Sequence, residues 1–505
     1  MSIPLILAID QGSSSTKCLV VDSDGRVVAR GQAAVGQSTP EPGWVEQDGE
    51  AIIASVREAV AAALTPADAA RVVSVGLSTQ RESCIIWDRK TGAALTPVLS
   101  WQDQRTEPLC AAMRARGEDR LVREKSGLPL DPMFSAIKAK WLLDRIDPDR
   151  SRARAGELAI GTIDSFILSR FGGPHVVEAG NASRMQLVDV AKAAYDDELL
   201  ALFDIPRAAL PEIVASTGPF PAVKGLPPLA DGVPIGAVMA DSHAALFAHG
   251  AYKPGPVKAT QGTGSSVMGL LDRAATRDGA ALHPGVCLTL AWWIDEPVLA
   301  FEGNIRSAGS TLLWAASLLG VDAAELARMA AGVADSGNVH LVPGFNGLGA
   351  PWWDGGAVAT LSGFTLGSRR EDVARAALDS IAHQIADVVD AVRSSGVPVE
   401  SLHVDGGPTR NDQLMQFEAD MTGLPVARTD TAELSALGVA HLAGLKAGLF
   451  TYEGLAALDR GGTVFEPAID SSARSRKRSA WARALKRSRS GRGIEPGASA
   501  YRAEK

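Results

Sequence analysis

Near the amino terminus the sequence runs Leu5-Ile-Leu-Ala-Ile-Asp10-Gln-Gly-Ser-Ser-Ser-Thr-Lys17, an apolar segment followed by a carboxylate, a glycine and three serines. Residues 18–22 are mostly apolar again and are stopped by a Ser-Asp-Gly turn at 23–25. Apolar runs separated by such turn residues are typical of paired strands. The pattern therefore predicts a buried β-hairpin with residues 10–16 at its tip.

The tip of this hairpin has the composition of a phosphate site. Backbone N–H groups at Gly12, Ser13 and Ser14 can bind phosphate oxygens, and we expect Lys17 to join them. Asp10 can hold a hydrated Mg²⁺ beside the phosphate, because Mg²⁺ prefers one or two carboxylates plus phosphate oxygens. Taken alone, an ordinary hairpin with a polar turn is the commoner explanation of the same residues.

A second segment repeats the design and favours the phosphate interpretation. It runs Gly255-Pro-Val-Lys-Ala-Thr-Gln-Gly-Thr-Gly-Ser-Ser-Val-Met-Gly-Leu-Leu271, and residues 402–407 again place an acid and two glycines after an apolar run. Two phosphate-type hairpins predict a duplicated α/β fold with nucleotide between its halves. We expect domains at residues 1–247 and 248–490, followed by a flexible tail at 491–505.

Composition narrows the class of protein. A chain of 505 residues exceeds one core, and 46% hydrophobic with 21% charged residues is typical of a soluble globular protein. The net charge of −8 gives no general attraction to nucleic acid or anionic membrane. The four cysteines show no CxxC spacing, which argues against a zinc site and favours a reducing compartment. With no apolar run near ~18 residues, we expect a cytoplasmic protein without nucleic-acid or membrane partners.

Two further segments carry candidate ligand-binding residues. Arg81 and Glu82 follow the predicted strand at 72–77, and ligand crevices in open α/β sheets lie past such strand ends. A solvated loop pair explains these two residues equally well. Trp101 could pack against the carbon face of a hydroxylated ligand, although tryptophan is more often a core residue.

Asp241 lies between an apolar run at 234–240 and a helical pattern at 242–249. A carboxylate at such a junction either caps the helix or acts on a ligand, and capping is the commoner role. Farther along, the basic segment from Arg474 predicts a solvated helix with a frayed end rather than a nucleic-acid arm, because aromatic residues are not interleaved with its charges.

Taken together, the sequence resembles the FGGY carbohydrate kinases, and the glycerol kinases among them most closely. The matching motifs are Asp10-Gln-Gly-Ser-Ser-Ser, Ser78-Thr-Gln-Arg-Glu, Trp101-Gln-Asp-Gln-Arg, Asp131-Pro-Met-Phe-Ser-Ala-Ile-Lys, Asn181-Ala-Ser-Arg, Gly262-Thr-Gly, Gly347-Leu-Gly-Ala-Pro-Trp and Asp405-Gly-Gly. The resemblance implies two actin-like, ribonuclease H-like domains around a nucleotide and substrate cleft. It also implies ATP- and Mg²⁺-dependent phosphorylation of a hydroxyl of a small polyol or sugar, by a homo-oligomer.

Site roles follow from the same resemblance. Asp241 matches the catalytic base, and Asp10 matches the acid that helps to position Mg²⁺. The polyol-binding positions are matched by Arg81, Glu82, Trp101, Met133, Asp241 and Ser242. The nucleotide positions are matched by Thr263, Gly309, Gly407 and Asn411, and we expect the hairpin residues Gly12, Ser13, Ser14 and Lys17 to contact the nucleotide as well.

Three positions in this chain depart from the glycerol kinase pattern. Met133 stands where a tyrosine is expected and Ser242 where a glutamine is expected, while Leu313 replaces a glutamine near the nucleotide. Loss of a phenol and an amide enlarges the pocket, so we expect a substrate longer than glycerol. Glycerol itself remains the alternative substrate. The rival classes are a non-catalytic sugar sensor and an actin-like ATPase.

Overall fold

A computed structural model describes residues 3–272 and 282–489. The predicted tail at 491–505 lies outside the described residues. Two mixed β-sheets, one in each half of the chain, form the framework on which the candidate site is built.

The first half contains thirteen strands in the described residues. They are β1 (Leu5–Gln11), β2 (Ser15–Asp22), β3 (Val27–Ala34), β4 (Glu46–Gln47), β5 (Val72–Thr79), β6 (Ile85–Asp88), β7 (Val98–Leu99), β8 (Leu158–Gly161), β9 (Val176–Glu178), β10 (Val188–Asp189), β11 (Ala194–Tyr195), β12 (Glu212–Val214) and β13 (Ile235–Ala240). Its helices are α1 (Gly49–Ala63), α2 (Pro66–Ala69), α3 (Glu107–Ala115), α4 (Asp119–Ser126), α5 (Ser135–Ile146), α6 (Ser151–Arg154), α7 (Ile163–Arg170), α8 (Ala179–Ser183), α9 (Asp197–Leu202) and α10 (Asp241–Ala248), with a 3₁₀ turn at Arg207–Ala209.

The second half adds the remaining described elements. Its strands are β14 (Gly255–Gln261), β15 (Ser265–Leu270), β16 (Cys287–Trp293), β17 (Pro297–Ile305), β18 (His340–Val342), β19 (Thr360–Ser362), β20 (Val399–Asp405), β21 (Val426–Arg428) and β22 (Thr463–Phe465). Its helices are α11 (Gly309–Leu319), α12 (Ala323–Ala331), α13 (Arg370–Ser394), α14 (Asp412–Thr422), α15 (Leu434–Lys446), α16 (Tyr452–Ala456) and α17 (Ser471–Arg489), with a 3₁₀ turn at Gly407–Arg410.

Five strands of each main sheet follow the same order. The first sheet is ordered β13-β5-β1-β2-β3, with β1 parallel to β5 and antiparallel to β2. The second is ordered β16-β17-β15-β14-β20-β21-β22, with β14 parallel to β20 and antiparallel to β15. Three antiparallel strands followed by two parallel ones therefore occur twice, which confirms the predicted duplication of the hairpin unit.

Strand register brings the predicted acids to the ends of their sheets. In the first sheet Asp10 pairs with Ser78, and Ala240, the residue before Asp241, pairs with Thr79. In the second sheet Asp405 pairs with Thr260, next to the second hairpin tip. Parallel strands end at one edge of a sheet, so backbone pairing places Asp10 and Asp241 at the same edge, on either side of the end of β5.

The two halves are joined by closely packed helices. Helix α15 from the second half lies against α10 and against strands of the first sheet. A Cβ at Gly438 would lie 1.8 Å from the carbonyl oxygen of Ala244, so only glycine permits this approach. The halves consequently share a core in which Phe247, Trp292 and Leu437 are buried.

Helix α17 is docked on the second half rather than fully solvated. Trp481 is only 1% exposed, its ring stacks on His383 at 4.9 Å, and its Nε1 donates to Asp387 Oδ2 at 2.9 Å. Arg478 pairs with Asp390 at 3.1 Å. The prediction of a solvated helix is therefore wrong for the face of α17 that carries Trp481, because this side chain anchors the helix to the second half.

A search of the described residues finds no single helix that is long and apolar enough to cross a membrane. One bent pair, α11 with α12, reaches the required length and composition together, and its two helices meet at 90°.

Candidate functional site

A cavity of about 730 Å³ opens between the two halves. We call it the cleft cavity. It is lined by Asp10, Lys17, Asp241, Ser242, Ala245, Thr260, Asp405, Gly406, Gly407, Thr409, Arg410, Arg428, Thr429, Asp430, Thr431, Ala432, Glu433, Leu434 and Ser435. Five residues predicted from the sequence thus meet in one place: Asp10, Lys17, Asp241, Ser242 and Gly407.

Asp241 is the first residue of α10 and lies directly after β13. Its Oδ1 accepts a hydrogen bond from the Ser242 backbone N–H at 2.6 Å and lies 3.1 Å from Arg81 Nε. The side chain is 37% exposed, and Asp241 lines the cleft cavity. Burial raises the pKa of Asp241, and the positive charge of Arg81 opposes that rise. An oriented carboxylate facing a cavity can accept a proton from a bound hydroxyl group.

Asp10 lies near the end of β1 and accepts a hydrogen bond from Ser78 Oγ at 2.9 Å. Burial, followed by the negative charge of Asp241, raises the pKa of Asp10 to about 7. A divalent cation would offset the repulsion that Asp241 exerts on Asp10, so this pair of carboxylates suits a metal ion. Among the described residues no group of three His, Cys, Asp or Glu side chains could hold a metal ion. Asp10 beside Asp241 fits Mg²⁺, because this ion prefers one or two carboxylates and would take its further ligands from phosphate and water.

Arg81 and Glu82 are both buried, at 8% and 3% exposure, which excludes the solvated loop pair. Glu82 has φ of 60°, a left-handed conformation that is strained for a side chain with a Cβ and recurs at functional sites. Its carboxylate accepts from Arg184 Nε at 2.6 Å, and its carbonyl oxygen accepts from Ser135 Oγ at 3.0 Å. These contacts hold the Arg81–Glu82 turn against Asp241.

Trp101 lies beside the first hairpin tip, and neither Trp101 nor Met133 lines the cleft cavity. The indole Nε1 of Trp101 donates to Ser13 Oγ at 2.8 Å. Met133 is 8% exposed and belongs to a small apolar cluster against which Trp101 and Trp353 also pack. The two residues thus share one apolar cluster.

The first hairpin tip corrects one part of the phosphate prediction. The Gly12 N–H donates to the Ser15 carbonyl oxygen at 3.0 Å and is therefore not free for phosphate. In the second tip the Gly262 N–H likewise donates to Gly264 O at 2.8 Å. The N–H groups of Ser13 and Ser14 have no hydrogen-bond acceptor among the described residues, so they remain the donors that this tip can offer.

Among the other predicted nucleotide residues, Thr263 and Gly309 meet at the second hairpin. The N–H of Gly309 donates to Gly262 O at 2.9 Å, and the Ala308 N–H donates to Thr263 O at 2.9 Å. A Cβ at Gly309 would approach Gly262 O to 2.5 Å, so the start of α11 rests on the hairpin tip. Asn411 lies outside the cavity lining, and its side chain caps α14 by accepting from Leu414 N at 2.9 Å. Leu313, the third departure from the glycerol kinase pattern, is 65% exposed on α11.

Sequence reasoning missed several charged residues behind the cavity wall. Glu302, Arg184 and Lys258 are each 0% exposed. Lys258 donates to Ser242 Oγ at 2.7 Å, and Glu302 accepts from Arg81 Nη1 at 2.8 Å. Lys258 and Glu302 could have been found, because each is a charged residue inside an apolar strand, as Val257-Lys-Ala and Phe301-Glu-Gly show. A charge buried in a strand requires a partner, so it indicates a network of charged residues.

Comparison with known proteins supports the resemblance. The family model described as the N-terminal domain of the FGGY family of carbohydrate kinases matches residues 5–248, and that for the C-terminal domain matches residues 257–447. The glycerol kinase of Rhodospirillum centenum is 41% identical over 503 residues, covering 97% of this chain and 99% of that protein. The apulose kinase of Pectobacterium atrosepticum is 40% identical over 497 residues, covering 97% and 99%.

Solved structures agree on the architecture. The Plasmodium falciparum glycerol kinase with ADP superposes with a TM-score of 0.87 at 28% identity, covering 96% of this chain and 98% of that one. A ligand-bound xylulose kinase from Lactobacillus acidophilus gives a TM-score of 0.84 at 19% identity, covering 96% and 97%, and so shows the fold alone. These matches confirm the predicted α/β fold of two actin-like domains. The chain belongs to the FGGY family of carbohydrate kinases.

Proposed function

We propose that this kinase transfers the γ-phosphoryl group of ATP to a polyol or ketose of four or more carbons, with Asp241 as the general base. Membership of the family makes it an ATP-dependent kinase of a polyol or sugar. The observation that carries the finer proposal is the position of Asp241, which lines a cavity shared by both halves and is held by Arg81.

Phosphoryl transfer requires mainly alignment of the nucleophile and neutralisation of phosphate charge. Asp241 Oδ2 is free of the Ser242 and Arg81 contacts, so it is the oxygen that accepts the proton of the attacking hydroxyl. Asp10 would hold Mg²⁺, which would supply shielding of the charge on the transferred group. The free N–H groups of Ser13 and Ser14, together with Lys17, bind phosphate at the first hairpin.

The adenosine side of the nucleotide belongs to the second half in this proposal. Thr263, Gly309, Gly407 and Asn411 surround the second hairpin and the start of α14. The related Plasmodium falciparum structure contains ADP, which supports a nucleotide in this cleft. We accordingly divide the chain into a substrate domain at 1–247 and a nucleotide domain at 248–490.

Substrate size follows from the two departures on the acceptor side. The Ser242 hydroxyl is engaged by Lys258 and by Ser266 Oγ at 3.0 Å, so it withdraws from the position that a glutamine amide would occupy. Met133 offers an apolar surface without a phenol. Arg81, Glu82 and Trp101 retain the means to bind adjacent hydroxyls. The apulose kinase is about as similar to this chain as the glycerol kinases are, which supports a sugar as acceptor.

Glycerol is the second candidate substrate, because several relatives at about 40% identity are glycerol kinases. ATP consumption against glycerol, four- and five-carbon polyols, ketoses and sugar acids separates the two candidates. We expect the highest kcat/KM with a polyol or ketose of at least four carbons. Met133→Tyr combined with Ser242→Gln should move the preference toward glycerol.

Leu313→Gln is the matched control, because it introduces the glutamine of the glycerol kinase pattern at an exposed position of α11. It should leave the ratio of kcat/KM between the acceptors unchanged. If the wild type prefers glycerol over every longer compound, the protein is a glycerol kinase with an altered pocket. If no acceptor stimulates ATP consumption, the sensor or ATPase alternative replaces this proposal.

A further inference from the structure

Glu302 is a fully buried carboxylate of β17 at which side chains from both halves meet. Its Oε2 accepts from Arg81 Nη1 at 2.8 Å and lies 2.9 Å from Arg184 Nη1. Its Oε1 accepts from Ser266 Oγ at 2.8 Å and from Asn304 Nδ2 at 3.0 Å. Burial would raise the pKa of Glu302, but Arg184 and Arg81 hold that pKa well below its usual range, so the carboxylate is ionised.

These contacts cross the boundary between the halves. Arg81 follows β5 and Arg184 follows α8 in the first half, whereas Glu302, Ser266 and Asn304 belong to strands of the second sheet. Arg184 Nη2 also donates to Asn304 Oδ1 at 3.2 Å. Glu302 is therefore the point at which the second half holds two arginines of the first.

Arg81 links Glu302 to the proposed base. Its guanidinium is a planar, rigid fork, so the placement of Nη1 against Glu302 also fixes the position of Nε, which lies 3.1 Å from Asp241 Oδ1. A second route runs from Glu302 through Ser266 Oγ to Ser242 Oγ, and the Ser242 N–H donates to Asp241. Two connections thus converge on one carboxylate.

We propose that Glu302 is a positioning residue that aligns Asp241 through Arg81 when the two halves approach each other. The proposal rests on the proposed function, which gives Asp241 its role as base. In a more open molecule Glu302 moves away with the second sheet, and Arg81 loses the partner that directs it. Alignment of the base is then coupled to closure of the cleft, and closure accompanies substrate binding in many kinases.

The test is Glu302→Gln, which removes the charge but preserves the size of the side chain. We expect kcat to fall about 10- to 100-fold, the scale associated with a misplaced catalytic group, with the KM for ATP within about twofold of wild type. Asp379→Asn is the matched control. It removes a buried carboxylate that accepts from Arg375 Nε at 2.6 Å outside the cavity lining, and it should leave kcat within about twofold.

A double-mutant cycle then separates positioning from structural support. If Glu302 acts through Arg81, Glu302→Gln should cost less than about threefold in kcat once Arg81→Gln is present, because coupled residues are not additive. The proposal would be overturned if the kcat losses of Glu302→Gln and Arg81→Gln multiplied in the double variant. It would also be overturned by a wild-type kcat for Glu302→Gln or by an equal loss of kcat in the Asp379→Asn control.

Asn304→Ala provides a second variant if Glu302→Gln fails to fold, because it keeps every charge and removes one donor to Glu302. A kcat reduced at least about threefold supports the proposal, and an unchanged kcat overturns it. Asp241→Asn distinguishes the two levels of the account. If that variant turns over normally, the proposed function fails; if it is inactive while Glu302→Gln is normal, only the positioning role fails.

Discussion

Asp10 and Asp241 both line the cleft cavity because the strands that carry them end at the same edge of the first sheet. Each could be predicted as a site residue because each is an acid at the end of an apolar run. The Gly12 prediction failed in part because a tight tip uses that N–H within the hairpin. Glu302 could not be found from spacing, since it lies 221 residues from Arg81 and only the packing of two sheets joins them. Local patterns therefore predicted five residues of the cavity wall, and long-range contacts supplied those behind it.

Asp10 gives a pH-dependent prediction about stability. The pKa of Asp10 is raised from 3.8 to about 7, so between these values the folded protein keeps a proton that the unfolded chain releases. Stability is then lost as pH rises from about 4 to about 7, with the full penalty above pH 7. Without nucleotide or Mg²⁺, we expect Asp10→Asn to melt about 2–4 °C higher than wild type at pH 8, with the difference vanishing near pH 4.

Thermal melts at pH 4, 6 and 8 check this prediction. The exposed Asp197→Asn makes the same change of charge outside the cavity and should show no such trend. A lower Tm for Asp10→Asn at pH 8 would contradict the prediction. The same variant should also require more Mg²⁺ for turnover if Asp10 acts through the metal.

At the scale of elements, hairpins and amphipathic helices followed from the sequence, while the docking of α17 did not. Its charges predict a solvated helix, yet Trp481 is buried between His383 and Asp387. A single tryptophan in a basic helix gives a weak periodic signal, and the partners that bury it lie about 100 residues away. The same limit applies to α10 and α15, whose contact depends on Gly438 lying against Ala244.

Trp481→Ala tests the anchoring of α17. We expect a loss of about 3–5 kcal/mol in the free energy of unfolding, because a buried aromatic ring and a hydrogen bond are removed together. Arg483→Ala on an exposed part of the same helix should change that free energy by less than about 0.5 kcal/mol. Denaturant titration of both variants is the measurement, and equal midpoints would show that α17 adds little stability.

At the scale of the whole molecule, the duplication of the sheet is the feature that the sequence predicted most completely. The order of three antiparallel and two parallel strands recurs in both sheets, as the repeated hairpins predicted. The cleft cavity between the sheets is lined by residues of both halves, and the chain crosses from α10 to β14 between residues 248 and 255. A cleft built this way is suited to closure about that crossing segment.

Solution scattering checks this motion. With a non-hydrolysable ATP analogue and a saturating acceptor, we expect a smaller radius of gyration than with either ligand alone or with neither. Closure about a hinge near residue 250 brings the sheets together around the ligands, which is the physical reason for the decrease. An unchanged radius under saturating ligands would count against the hinge.

The turnover of Asp241→Asn with the best acceptor tests the central claim most directly. The substitution keeps the size of the side chain and the hydrogen bond from Ser242, but the amide cannot accept the proton of a hydroxyl group. We predict a kcat lower by about 10²–10⁴, the usual contribution of a general base, with ATP affinity nearly unchanged. A near-wild-type kcat in a folded Asp241→Asn protein would contradict the account and leave Asp241 as a residue of the helix terminus.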